Sequence, residues 1–207
     1  MIDILQEDPL AFVLVALSLV GAISMHEFAH ALAADLQGDR MPRAKGRLTL
    51  NPARHLDPLG TLCLFLVGFG WGKPVEFRPQ ALSSQRFGAA IVAVAGPLMN
   101  LFLAFIAAIL AVAFSDAIVT NETARLFFEL FFTINVFLAV FNLIPLPPLD
   151  GSRLLTIFLP ANRRNIIFWL DQYGFLILLA LVFFGGLSFL DPIIDSVSSF
   201  LLDIAGA

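Results

Sequence analysis

Charge, cysteine and histidine are all scarce in this chain. Only 14% of its 207 residues are charged, against about 25% in an ordinary soluble domain, which argues against a water-soluble globular enzyme. The one cysteine, Cys63, excludes an internal disulfide and a metal site built from several thiolates. The net charge is only −4, and no basic stretch alternates with exposed aromatics, so nucleic acid is excluded as a partner. The chain has no basic start and no small-x-small cleavage site. It opens acidic, with Asp3, Glu7 and Asp8, and the first apolar segment is read as retained. The sequence shows no internal repeat, low-complexity tract or water-soluble domain.

Long apolar runs are what the sequence does contain. Hydrophobic residues make up 59% of the chain and the 22 Phe residues are spread over several runs, so the excess belongs to the whole architecture rather than to one anchor. Runs at Leu10–Leu36, Phe87–Phe114, Ala124–Leu149 and Ile166–Leu190 are each long enough, at about 1.5 Å per residue, to cross a core of about 30 Å. The expected fold is an all-α polytopic membrane protein, a single membrane-embedded domain over residues 1–207 with four full spans. Leu59–Trp71 is shorter and carries Gly60, Gly68 and Gly70, which fits a re-entrant segment or short helix better than a span. Arg47–Leu50 alternates like a small β element. After Asp191-Pro192, residues 193–205 place Ile193, Ile194, Val197, Phe200, Leu201 and Ile204 on one face, the pattern of an interfacial amphipathic helix.

Charge placement gives an orientation. Of the 12 Lys and Arg residues, Arg40, Arg43, Lys45, Arg47, Arg54, Lys73, Arg78, Arg86, Arg153, Arg163 and Arg164 fall in loops on one side, leaving Arg125 on the other. The positive-inside rule puts these basic loops in the cytoplasm and both termini outside. That holds only if Leu59–Trp71 does not cross.

The chemistry is concentrated in the first span. Met25-His26-Glu27-Phe28-Ala29-His30 contains H-E-x-x-H. Histidines four apart on a helix are about 40° from one another, so both imidazoles can face one metal ion with Glu27 beside them to handle a proton. The alternative, helix-packing histidines with a structural carboxylate, would bury an acid among imidazoles with no cation between them, at a cost of several kcal/mol. His26 lies about 25 Å along the helix from Pro9, near the cytoplasmic end.

Two histidines leave zinc one protein ligand short. Phe141-Asn142-Leu143-Ile144-Pro145-Leu146-Pro147-Pro148-Leu149-Asp150-Gly151 offers a helix broken by proline with a carboxylate at membrane depth, a pattern used for ion sites. An even number of crossings between His30 and Asp150 returns the chain to one face, as the charge argument also requires. Taken alone, Asp150-Gly151 reads as a turn; paired with His26 and His30, Asp150 reads as the third ligand.

These residues resemble the site-2 protease family of intramembrane zinc metalloproteases. Asn51-Pro52-x-x-His55-x-Asp57-Pro58-x-Gly60, Gly70-Trp71-x-Lys73-Pro74-Val75 and Gly96-Pro97-x-x-Asn100 are similar to its compact prokaryotic branch, which lacks PDZ and CBS domains. The resemblance implies one zinc per chain held by His26, His30 and Asp150, Glu27 as general base, and a peptide bond cleaved in a transmembrane protein substrate within the bilayer of a prokaryotic cytoplasmic membrane. It also implies a substrate-binding role for Asn142, with Asn100 in a related core motif. For both asparagines, helix–helix hydrogen bonding is the competing reading. His55 is read either as a substrate-side residue or as a solvated or capping one. Two other functions compete. One is a non-proteolytic metal-binding membrane protein, such as a transporter or inactive substrate-binding relative. The other is a metallohydrolase of small amphiphiles. The oligomeric state has no sequence signal.

Overall fold

The computed structural model describes residues 2–67, 70–158 and 164–206. A short helix, α1 (Ile2–Glu7), leads into α2 (Pro9–Leu36). Asp8 starts α2 by accepting a bond from the Ala11 N–H at 2.9 Å, and Pro9 supplies a first-turn residue that needs no partner for its nitrogen. After one turn of helix at α3 (Met41–Ala44) comes α4 (Pro58–Val67), then α5 (Gln85–Ala113), α6 (Ser115–Val119) and α7 (Glu122–Asn142). The chain continues through α8 (Gly151–Phe158), α9 (Arg164–Phe183) and α10 (Asp191–Ala205).

Helices α2, α5 and α7 pack against one another in all three pairings. Their contact faces are made of small side chains: Ser18, Ala22, Ala29, Ala31 and Ala34 from α2, Ala93, Ala104 and Ala107 from α5, and Ala139 from α7 are buried. Small residues let helix backbones approach closely, which is how helices associate where lipid removes the hydrophobic drive. Large apolar residues such as Leu17, Ile91, Leu98 and Phe102 point outward, the arrangement a bilayer favours. By length and composition Pro9–Leu36, Phe87–Ala113 and Glu122–Asn142 can each cross a membrane, with a fourth crossing if α9 and the helix after it count as one bent span. The protein is an integral membrane protein built of helices.

Three expectations are corrected. The third apolar run does not stay helical to Leu149 but only to Asn142; the break itself falls where the prolines predict it, since Pro145, Pro147 and Pro148 have no N–H to continue the ladder. The fourth ends at Phe183 rather than Leu190, where Gly185 takes a left-handed φ of 70° and the Gly186 N–H caps the Leu181 carbonyl at 2.8 Å. Ser188–Ala205 then departs from α9 at 83°. Arg47–Leu50 forms no strand; the Arg47 and His55 side chains bind carbonyls in this loop region. Among the described residues the one β-like pairing is an isolated antiparallel bridge between Leu56 and Gly72.

That bridge sets the course of the Leu59–Trp71 segment. It leaves Leu56, runs out along α4 and is back beside Leu56 at Gly72, with Trp71 against Gly60; residues 68 and 69 lie outside the described residues. The amphipathic tail divides its apolar face. Ile194, Val197 and Leu201 pack on the Ala104, Val136, Val140 and Leu190 cluster, whereas Ile193, Phe200 and Ile204 stay exposed.

Candidate metal centre

The i, i+4 spacing places His26 and His30 on the face of α2 that meets α5, where both are buried. Asp150 arrives from the turns after α7, at the start of α8. Its Oδ2 lies 3.0 Å from His26 Nε2 and 3.2 Å from His30 Nε2, and the two Nε2 atoms are 2.9 Å apart. The rings stand nearly perpendicular, at 86°, so their edges converge.

Hydrogen bonding on the far side of each ring decides what the near side offers. His26 Nδ1 is 2.6 Å from Asn100 Oδ1, and His30 Nδ1 is 2.7 Å from the Val92 carbonyl. Carbonyl oxygens only accept, so each Nδ1 carries the hydrogen. The orientation of the Asn100 amide is fixed because its nitrogen donates to the Ala22 carbonyl and to Asn135 Oδ1, at 3.3 and 2.9 Å. Asn135 in turn donates to the Phe131 carbonyl at 2.8 Å. In neutral imidazoles both Nε2 lone pairs then face the carboxylate of Asp150.

Three electron-pair donors this close repel one another unless a cation lies between them. A tetrahedral zinc with bonds of about 2.0–2.1 Å would set neighbouring ligand atoms about 3.3 Å apart, near the observed spacings. His26, His30 and Asp150 are the group of metal-ligating side chains that meets here. Nitrogen and oxygen donors in a set of three, leaving a coordination position open, fit a catalytic zinc. Anchored Nδ1 hydrogens are the usual outer support of such a site.

The α5 backbone passes directly over the imidazoles. A Cβ at Gly96 would come within 2.6 Å of both His26 Cε1 and His26 Nε2 and would also strike His30 Nε2. Only glycine permits this approach. In the sequence Gly96 stands out only as part of the Gly96-Pro97-x-x-Asn100 motif; the structure gives it a place against the site. Asn135, Val92 and Val75 were also not identified from sequence as site residues. For Asn135 a signal existed, an amide within an apolar span.

A cavity of about 460 Å³ opens beside the three side chains, lined also by Glu27, Gly72, Val75, Asn142 and Arg153. Glu27 Oε2 accepts the Val75 N–H at 3.1 Å, which leaves Oε1 on the side of Gly72. Asn142 reaches the cavity wall but spends one amide hydrogen on the Leu138 carbonyl of its own helix, at 2.9 Å. Asn100 is fully buried behind His26 and is not part of the lining. His55 is fully buried as well, outside the lining, with Nε2 2.7 Å from the Thr49 carbonyl.

Comparison with known proteins finds similarity to zinc metalloproteases. The profile of Peptidase family M50 matches residues 112–185, the stretch that contains Asn142 and Asp150. The chain is 38% identical over 170 residues to the candidate zinc metalloprotease YwhC of Bacillus subtilis, covering 80% of this chain and 78% of that protein. It is 33% identical over 180 residues to the candidate zinc metalloprotease Rip2 of Mycolicibacterium smegmatis, covering 83% of this chain and 67% of that one. Identity to the Rip2 of Mycobacterium tuberculosis is 30% over 205 residues, covering 94% and 75%. No solved structure matches. A membrane-embedded H-E-x-x-H facing an aspartate, in a chain with these relatives, has one reading: the chain belongs to peptidase family M50, the site-2 protease family.

Proposed function

We propose that this chain is a zinc-dependent intramembrane endopeptidase, a single membrane-embedded domain that cleaves transmembrane segments of membrane proteins near the cytoplasmic face. The observation that carries the proposal is the convergence of His26 Nε2, His30 Nε2 and Asp150 Oδ2 while both Nδ1 hydrogens are committed elsewhere. These three residues would hold the zinc. When bound, zinc supplies a Lewis acid and lowers the pKa of water towards about 7. Glu27 stands beside the site with Oε2 anchored on Val75, so its other oxygen is placed to take a proton from the attacking water and return it to the leaving amine. Asn100 and the Val92 carbonyl hold the rings in the tautomer that presents Nε2.

A helical substrate hides its carbonyls in its own hydrogen bonds and must unwind before attack, so its freed backbone groups need partners. Asn142 is placed to supply one, having an oxygen and a second amide hydrogen beyond its bond to Leu138. Arg153 lines the cavity and Lys73 lies between the lining residues Gly72 and Pro74, so basic loop residues border the site; by the positive-inside rule that side is cytoplasmic, with both termini outside.

The test is metal content and cleavage measured on the same preparations. Glu27→Gln should retain about one zinc per chain and lose cleavage of tagged single-span substrates by at least about 10²-fold, the size of a general-base contribution. Asp150→Ala should lose the metal itself. Cleavage by Glu27→Gln, or full zinc occupancy in Asp150→Ala, would refute the corresponding role.

A further inference from the structure

A buried arginine stands apart from the zinc-binding residues and the base. Arg47 is 5% exposed, yet among the described residues no carboxylate lies within ion-pair distance of it. A desolvated guanidinium without a counter-ion is expensive. Its donors go instead to two backbone carbonyls: Nη1 to Arg54 and Nη2 to Lys73. Its own N–H is held by the Pro42 carbonyl at 2.9 Å. Burial pushes the guanidinium below its usual range, and the negative charges of Glu27 and Glu76 act in the opposite sense.

The second carbonyl matters because of where Lys73 sits. The Lys73 N–H donates to the His55 carbonyl at 2.7 Å, and Gly72 pairs with Leu56. Both backbone groups of Lys73 are thus tied to the loop formed by residues 47–56. Two residues further on, the Val75 N–H donates to Glu27 Oε2. His55 completes the clamp from inside by binding the Thr49 carbonyl.

We propose that Arg47 is a positioning residue for Glu27: by tying the Arg54 and Lys73 carbonyls together it fixes the Gly72–Val75 segment, and with it the Val75 N–H that aims the Glu27 carboxylate. The loop of residues 47–56, anchored by the buried side chains of Arg47 and His55, is then a mounting for the base rather than a substrate contact. This rests on Glu27 being the general base.

Two variants act on the same linkage from opposite ends. Arg47→Met removes the tie, and Val75→Pro removes the N–H at Glu27 without touching Arg47. Each is expected to keep zinc at the native level, to lower kcat about 10- to 100-fold with KM changed far less, and to do so without additivity. The double variant should be no slower than the worse single, because both break one linkage. Arg47→Lys, which keeps the charge but not the two-pronged fork, should recover only part of the loss. Hydrogen exchange supplies a readout independent of cleavage. The peptide containing Lys73 and Val75 should exchange faster in Arg47→Met while peptides from α2 and α5 do not change. Native kcat in Arg47→Met, multiplicative losses in the double variant, unchanged exchange around Val75, or general unfolding would each overturn the proposal. Failure of the readings beneath it would show separately: cleavage that persists in Glu27→Gln would refute the base, and zinc-loaded native chain that cuts no tagged single-span substrate would refute the protease.

Discussion

Gly96 shows how little room the metal centre leaves. The imidazoles beneath it cannot turn aside, because each Nδ1 is held by a buried acceptor, Asn100 Oδ1 or the Val92 carbonyl. A methyl group at Gly96, only 2.6 Å from His26 Cε1 and Nε2, must therefore displace a ring or push α5 away. Gly96→Ala is expected to reduce zinc affinity at least about tenfold, the lower end of what losing an outer support costs. Helical content should stay native, because alanine favours helix over glycine. Metal analysis alongside circular dichroism checks both halves, and native zinc binding would mean that the site has slack the distances do not show.

The elements that carry the site are joined by ion pairs as well as by packing. Beyond α2, Asp39 is fully buried and receives the Arg78 N–H at 2.5 Å and its guanidinium at 2.8 and 3.1 Å, together with the Met41 N–H at 3.1 Å. Burial pushes the Asp39 carboxyl up, but these donors outweigh it and hold the group below its usual value. A carboxylate with a depressed folded-state pKa stabilises above its unfolded pKa of about 3.9, and that stabilisation fades as pH falls through the folded value. Asp39→Asn should therefore melt below the native chain at pH 7, and the gap should narrow by pH 3. A gap that does not change with pH would assign Asp39 a purely steric role. The elements themselves were largely legible: α2, α5 and the start of α7 follow from uninterrupted apolar length, and His26, His30 and Asp150 from helical spacing and a proline break. The early end of α9 was signalled only by Gly185-Gly186, which hydropathy averages away inside an apolar run. Arg47 was not legible as a clamp, because a loop arginine reads as one more basic residue until long-range folding brings the Lys73 carbonyl to it.

Across the whole molecule, orientation and the path of the α4 segment are one question. If Leu56 and Gly72 pair, residues on either side of that bridge must emerge on the same face of the membrane, and the basic loops with the site stay together. A full crossing between them would instead separate Arg54 from Lys73, which the same guanidinium binds to. Because Cys63 is the only cysteine, a Cys63→Ser background makes this directly measurable with a membrane-impermeant thiol reagent. Leu59→Cys, Lys73→Cys and Lys45→Cys should react only after the membrane is opened, and Glu7→Cys should react in intact cells. Opposite labelling of Leu59→Cys and Lys73→Cys would rule out the return path of α4. Reversed labelling of all four would keep the return path but place the site, and the cleavage it performs, at the outer face.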